Sequence, residues 1–484
     1  MKKPLFTLLA LLPLTGCGMD LYSVGLGPTL NDDVLHAEVF GVAYRQIDTY
    51  AIAPPPTSAL ANATLGGLEK LDPHISSAIT PQGQWVLSRN GQLVASSLTP
   101  ANGDYQRWGE QTLSLTEAAI KASPLLAKAK PEELYTPMLA GAAATLDTYS
   151  HYKSPTMTQH DAEWSTGYGG IGVTFERRGG NFAVLDVFIN SPAAQAGLVA
   201  GDVITAVSGK AVEELSIEEF ALQVRGPIGS PVTLTTTQRG NITIIRQKVI
   251  PTTVALRMEG TVAVIRISRF MPGTVEEFRK AARQAVWQKA TAVVLDLQHN
   301  PGGYLESAVD IARLLAPRGP VLRMDGRHAA SHEQYNTGGA DILVGLPLLI
   351  VQDAFSASAS EALAAGLRDR GRAILIGSTS FGKASVQNVV PLPHGGEMAI
   401  TWARMVAPGG KTFFQAGVTP TLCLTPASTV AGAVEAARRG ETDKPCIKTE
   451  SLTKTALPVA LALANDPTTL AALQAKVNDL AQSR

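Results

Sequence analysis

Between Val262 and Ile376 the chain alternates apolar, strand-like runs with amphipathic, helix-like ones, and this limits the fold more than any other feature. Val262–Ile267 reads as a strand and 275–288 as a helix. The run 292–297 is nearly all apolar, the mark of a strand buried on both faces. A helix over 305–315, a strand over 346–351, a helix over 359–367 and a strand over 373–376 continue the series. That order predicts an α/β architecture.

The rest of the chain is long enough to add further domains. A length of 484 residues suggests two to four of them. Hydrophobic residues make up 45% and charged ones 17%, so there is ample material for buried cores. Lys+Arg and Asp+Glu both number 41, the net charge is zero, and no basic stripe argues for nucleic acid as a partner.

The N-terminus reads as a targeting segment. Lys2 and Lys3 precede an apolar run, 5–12, that is too short to span a bilayer and fits a signal peptide. Leu14-Thr15-Gly16-Cys17 resembles the bacterial lipobox, in which the cysteine becomes the lipidated first residue. The alternative is an ordinary signal peptide with an incidental Cys17. The resemblance implies an exported protein, lipid-anchored on the periplasmic side of a bacterial membrane. Gly18 after Cys17 favours the outer one. With Cys17 lipidated, Cys423 and Cys446 remain as a pair in an oxidising compartment, either as a disulfide, the expectation here, or as two separate thiols. No Cys/His spacing suggests zinc, because His332-Glu333 is followed by Asn336 where a second histidine is needed. No metal or other cofactor is expected.

Residues 18–60 read as a mixed segment ending in the loop Pro54-Pro55-Pro56. Two helix-like stretches, 65–76 and 138–146, look alike. Residues 166–252 then read as short strands with one helix at 217–224 and a hairpin around Arg239-Gly240-Asn241. Gly169-Gly170-Ile171-Gly172-Val173 opens this unit, and Ser191-Pro192-Ala193-Ala194 and Gly201-Asp202-Val203-Ile204 follow. Glycines let backbone N–H groups converge on an anion, and an adjacent edge strand can accept an extended peptide. The unit resembles a PDZ domain. The resemblance implies that a substrate's C-terminal carboxylate docks near Gly170, Ile171 and Gly172, in a groove beside the 217–224 helix. Gly167-x-Gly169-x-x-Gly172 also matches a dinucleotide fingerprint, but it precedes a strand rather than opening a helix.

The densest chemical signal runs from Phe355 to Gln387. Ser356, Ser358 and Ser360 stand at the start of a helix, more serines than capping requires. Lys383 sits among small residues after an apolar strand. A lysine in such a place loses stabilisation of its charge, and its free amine can act as a base. A serine beside it needs no histidine to become a nucleophile.

Three motifs carry a family resemblance: Asp296 through Leu305 with Asn300-Pro301-Gly302-Gly303, Phe355 through Glu361, and Phe381-Gly382-Lys383-Ala384-Ser385-Val386-Gln387. They resemble the C-terminal processing, or tail-specific, proteases of the S41 serine peptidase family, from about residue 130 to 425. The resemblance implies Ser358 as nucleophile and Lys383, 25 residues later, as general base, with Gln387 orienting the lysine. It implies an oxyanion hole from Gly302 or Gly303 with the amide of Ala359. It also gives Asp369 a supporting role. Asp369 lies eleven residues after Ser358, about three helical turns, and the alternative is an ion pair within Arg368-Asp369-Arg370. Gln298, His299 and Ala384 depart from the family pattern and bear on fine specificity.

The expected fold is multidomain α/β: a helical N-terminal region, then a PDZ domain inserted before an α/β serine protease core of the ClpP/crotonase type. The expected limits are signal peptide 1–16, mixed, largely helical region 17–165, PDZ domain 166–253, catalytic domain 254–424 and helical tail 425–484. The expected activity is endoproteolysis of exported proteins and peptides with exposed C-termini. A homo-oligomer or an adaptor lipoprotein fits the same reading. The alternative from another class is a catalytically silent PDZ-bearing lipoprotein scaffold. Ser380-x-x-Lys383 also matches the S-x-x-K motif, but Gly382 intervenes and K-T-G is absent.

Overall fold

The computed structural model describes residues 34–159, 167–188, 191–250, 252–441, 446–449 and 454–482. The signal segment 1–16, Cys17 and Gly18 lie outside the described residues.

The alternating region folds around a six-stranded sheet in the order Val254–Glu259, Val262–Ile267, Ala292–Asp296, Leu348–Gln352, Ile374–Gly377 and Leu422–Cys423. The first pair is antiparallel and the others run parallel. All residues of 292–296, 348–352 and 374–377 are buried, which requires cover on both faces. Helices Thr274–Trp287, Leu305–Leu315 and Ala359–Asp369 cover one face, packing Phe278, Ile311 and Leu363 with Ile265, Leu295 and Ile350. The opposite face takes Val264, Val294 and Val351 against Val434, Val459 and Leu463. Those last three belong to helices Val430–Arg438 and Ala456–Ala464. The C-terminal tail is therefore the second layer of the core. Each fully buried Val, Leu or Ile adds about 1.5–3 kcal/mol.

A second, antiparallel sheet was not legible in the chain's pattern. It joins Gly319–Gly326, Glu333–Thr337, Ser385–Pro391 and Glu397–Val406, with His151–Lys153 added from the N-terminal region. In Glu333–Thr337 only Tyr335 and Thr337 are buried, so the apolar alternation that announces a strand is weak.

The N-terminal region departs from expectation in one way. Around the proline loop, helix Ala37–Tyr50 precedes and helix Thr57–Gly66 follows. The 65–76 stretch is not one helix: a 3₁₀ turn, Gly67–Lys70, leads to strand Ile75–Ile79. That strand forms a three-stranded antiparallel meander with Gln84–Arg89 and Gln92–Leu98. The turn at Asn90-Gly91 is a hairpin signal, and Asn90 takes the positive φ of 53° that such a turn demands. Phe40, Trp85 and Trp108 share one core with Val390, Met398 and Ile400 of the second sheet.

The middle unit is a sheet in the order Gly240–Ile245, Pro231–Thr236, Val203–Val207, Asn181–Val187, Val173–Arg178. Helix Ile217–Val224 starts at a reciprocal cap between Ser216 and Glu219, with bonds of 2.7 and 3.1 Å. Its Phe220 stacks on Phe182 at 4.0 Å and meets Phe175 of the edge strand at 4.6 Å.

Candidate active site

The carboxyl ends of strands Ala292–Asp296 and Leu348–Gln352 open into adjacent loops, the edge at which α/β sheets hold their ligands. One loop carries Asn300 to Gly303 and the other Ser356 to Ser360. They are joined tightly. The Ala357 N–H and the Ser360 hydroxyl both donate to the Asn300 carbonyl, at 3.0 and 2.9 Å. The Ser356 hydroxyl donates to the Leu297 carbonyl at 2.8 Å. Buried Asp353 accepts from the N–H groups of His299, Phe355 and Ser356 and holds His299 Nδ1 at 2.7 Å. Two of the three serines thus serve the scaffold, and Ser358 is the one left partly exposed.

Ser358 caps helix Ala359–Asp369 with φ 57° and ψ −116°. Such a conformation in a non-glycine residue costs about 1–3 kcal/mol and persists only where its surroundings enforce it. Gly302 is one reason it persists. A Cβ on Gly302 would lie 2.7 Å from Ser358 Cβ and 2.9 Å from Ala359 N, so no side chain fits. The Gly302 N–H is itself taken by Asn300 Oδ1 at 2.9 Å. Of the expected oxyanion donors, Gly302 is therefore already engaged.

Lys383 lies in the loop between strand Ile374–Gly377 of the first sheet and strand Ser385–Pro391 of the second. Glu361, 1% exposed in the first turn of the Ser358 helix, reaches across to it. Its Oε2 accepts from the N–H groups of Ser358 at 2.8 Å and Lys383 at 2.9 Å. Its Oε1 accepts from the Ser380 hydroxyl at 2.5 Å and the Gly382 N–H at 2.6 Å. One buried carboxylate ties the backbone of the serine to that of the lysine. Burial pushes this carboxyl above the ordinary glutamate range, and the four bonds pull it back. The sequence reading missed Glu361 as a functional residue. The signal was present: it stands three residues after Ser358, where a capping box places its glutamate.

Burial likewise pushes the Lys383 ammonium below the usual lysine range, while Asp147 and Glu361 hold it up. Its Nζ sits 5.4 Å from the centroid of the Tyr149 ring. Among the described residues, no hydrogen bond joins Nζ to the Ser358 hydroxyl. Tyr149 comes from the N-terminal region and meets Phe381 and Phe414 edge-on, at 6.5 and 6.2 Å. Asp147 Oδ1 holds the N–H groups of Tyr149 and Ser150 and the Thr401 hydroxyl. Gln387 Nε2 donates to the hydroxyls of Ser385 at 2.9 Å and Thr401 at 3.3 Å, so it reaches Asp147 through Thr401. A cavity of about 480 Å³ lies beside Asp147, walled by Ala140, Ala143 and Ala144.

Asp369 is not brought into this site. It occupies the far end of the helix that Ser358 begins, roughly 16 Å away at 1.5 Å per residue. There it pairs with Arg368 at 2.8 Å and accepts from the Gly409 N–H at 3.1 Å. Three turns keep a residue on the same face but not within reach. In the middle unit, Gly170 pairs with Gln247, and the carbonyls of Ile171 and Gly172 accept from Ala193 and Phe188. These three residues lead into the edge strand Val173–Arg178. Cys423 and Cys446 form a disulfide with Cα atoms 5.5 Å apart.

The sequence profile of peptidase family S41 matches residues 261–424, and that of the PDZ domain matches 184–237. The profile of the prokaryotic membrane lipoprotein lipid attachment site matches 1–17. A carboxy-terminal-processing protease of Bartonella bacilliformis is 30% identical over 301 residues, covering 60% of this chain and 69% of that one. A carboxyl-terminal-processing protease of Synechocystis is 28% identical over 369 residues, covering 74% and 84%. Among solved structures, the photosystem II D1 C-terminal processing protease aligns with a TM-score of 0.44 at 23% identity, covering 81% and 94%. The chain belongs to peptidase family S41. It is a serine-type peptidase with a PDZ domain, and its N-terminal attachment site marks it for export and membrane anchoring.

Proposed function

We propose that Ser358 is the nucleophile and Lys383 its general base. The peptidase captures a substrate's C-terminus on its PDZ domain, within 166–253, and cuts the chain near that end with its catalytic domain, 254–424. The observation that carries this is the single Glu361 carboxylate bound to the backbone of both residues. It sets serine and lysine in one frame although they come from different elements.

In this reading the neutral Lys383 amine takes the Ser358 proton as Oγ attacks the scissile carbonyl. The negative oxygen forms beside the Ala359 amide at the helix N-terminus, with Gly303 as the second donor. Lys383 then gives the proton to the leaving amine. Water, deprotonated by the same lysine, hydrolyses the acyl-enzyme. Gln387, Thr401 and Asp147 set the surroundings of the lysine. The lysine must leave the Tyr149 ring to reach Oγ, and a bound substrate supplies that step. The carboxylate of the substrate tail docks at Gly170, Ile171 and Gly172, and the tail adds as a strand along Val173–Arg178, beside Phe175 and Phe220. Gly18 after Cys17 points to the periplasmic face of the outer membrane.

The test is cleavage of a protein with an exposed, apolar C-terminal tail by wild type and Ser358→Ala. The expected loss of kcat is at least about a thousandfold. Equal cleavage by the two proteins would leave only the scaffold function.

A further inference from the structure

The C-terminal segment Cys446–Thr449 lies outside the S41 match, yet it runs alongside the loop that carries Lys383. The Thr379 hydroxyl donates to the Cys446 carbonyl at 2.9 Å and the Thr379 N–H to the Ile447 carbonyl at 3.3 Å. The Ser378 hydroxyl donates to the Thr449 carbonyl at 3.1 Å. Lys448 goes further. Its Nζ donates to the carbonyls of Phe381 at 2.9 Å and Gln415 at 2.7 Å.

Those two carbonyls belong to loops already laid against each other. The Gln415 N–H donates to the Gly382 carbonyl at 2.8 Å, and the Val418 N–H to the Ser380 hydroxyl at 2.7 Å. Both loops adopt left-handed backbone where they touch, at Gly382 (φ 91°) and Gln415 (φ 60°). A Cβ on Gly382 would lie 2.9 Å from the Gln415 carbonyl carbon. Glycine takes this conformation freely, but at Gln415 it is strained and persists only where partners enforce it. An ammonium with three donors can hold two carbonyls at once, through charge-assisted bonds.

The anchor of the segment closes a ring. Cys446 is bonded to Cys423, and Cys423 pairs in register with Gly377. Gly377 is the last residue of the strand from which the Lys383 loop departs. The disulfide thus fixes Lys448 relative to the root of the loop, and Lys448 fixes the loop two residues before Lys383.

We propose that Lys448 is a positioning residue for Lys383, held in place by the Cys423–Cys446 disulfide. It never touches substrate. It sets the loop so that the Lys383 amine and the Ser358 hydroxyl can meet, and it rests on the reading of Lys383 as the base.

The test uses the full chain and steady-state cleavage of one tailed substrate. Lys448→Ala should lower kcat about tenfold with KM within about twofold, since small displacements of a catalytic group carry large rate effects. Lys448→Arg should restore kcat to within about threefold, because a guanidinium can donate to both carbonyls. Cys423→Ser/Cys446→Ser should lower kcat to a similar level, and adding Lys448→Ala to that pair should change little, as for residues acting as one unit. A kcat for Lys448→Ala equal to wild type overturns the proposal. So does a loss that Lys448→Arg does not relieve, which would mark a merely structural contact. If Lys383→Ala is inactive while Lys448→Ala is as fast as wild type, this proposal alone falls; if Lys383→Ala stays active, the base assignment beneath it falls.

Discussion

The loop that carries Ser358 is held by its own sheet. Its partners, Leu297 and Asn300, sit at the end of the neighbouring parallel strand, and Ser356, Ser360 and Asp353 are buried. The loop that carries Lys383 is held by distant parts of the chain. Glu361 reaches it from the Ser358 helix, Lys448 from the tail, and Tyr149 and Asp147 from the N-terminal region. The proposed nucleophile is built into the core, whereas the proposed base is placed by whatever surrounds it. A change far from the chemistry should therefore act through the lysine and leave the serine in place.

Glu361 is the point at which the two halves meet, and breaking it should have the largest effect. Glu361→Gln turns one accepting oxygen into a donor facing two N–H or hydroxyl groups. The expected loss of kcat is roughly a hundredfold. Stability should fall by about 1–3 kcal/mol, because buried donors lose their acceptor. Steady-state kinetics with chemical denaturation measures both. Wild-type kcat in this variant would show that the two loops need no common tie.

The second expectation isolates the lysine side. With Lys383 as the base, activity requires its neutral amine and should rise with pH through the Lys383 titration. Asp147 favours the ammonium and thus raises that pKa, against the burial that lowers it. Removing the charge with Asp147→Asn should move the rising limb of kcat/KM to lower pH, while the amide oxygen still serves the Tyr149 and Ser150 N–H groups. A limb that stays fixed, or moves to higher pH, would remove Asp147 from the base's surroundings.

The smallest effect belongs to Asp369. Asp369→Asn should leave kcat within about twofold and lower stability by about 1 kcal/mol, the worth of a bond to Arg368 or to the Gly409 N–H. A large drop in kcat at unchanged stability would return Asp369 to the site.

Ser358, Lys383 and the glycine turn were legible because each is a short-range pattern: a serine run at a helix start, a lysine between strands, and two glycines after a buried strand. The elements 217–224, 262–267 and 305–315 were legible to the residue for the same reason, the two helices from their amphipathic period and the strand from its continuous apolar run. Asp369 misled because periodicity reports the face of a helix and says nothing of distance along it. The strands 319–326, 385–391 and 397–406 escaped notice although 385–391 pairs with 397–406 across a short turn and 319–326 with nearby 333–337, because the buried positions of 385–391 and 333–337 do not alternate cleanly. The role of Lys448 had no local signal at all, since the carbonyls it holds are 67 and 33 residues away.

The sequence by itself determined the α/β core, the two motifs that carry the proposed serine and lysine, the PDZ unit and the export signal. These follow from local period, motif and spacing, which a chain carries before it folds. Only the tertiary structure decided that one carboxylate joins Ser358 to Lys383, that the tail forms a layer of the core, and that the Lys383 loop is placed by segments from both ends of the chain. Those are contacts between residues remote in sequence, and they come into being only when burial of the apolar faces brings the segments together.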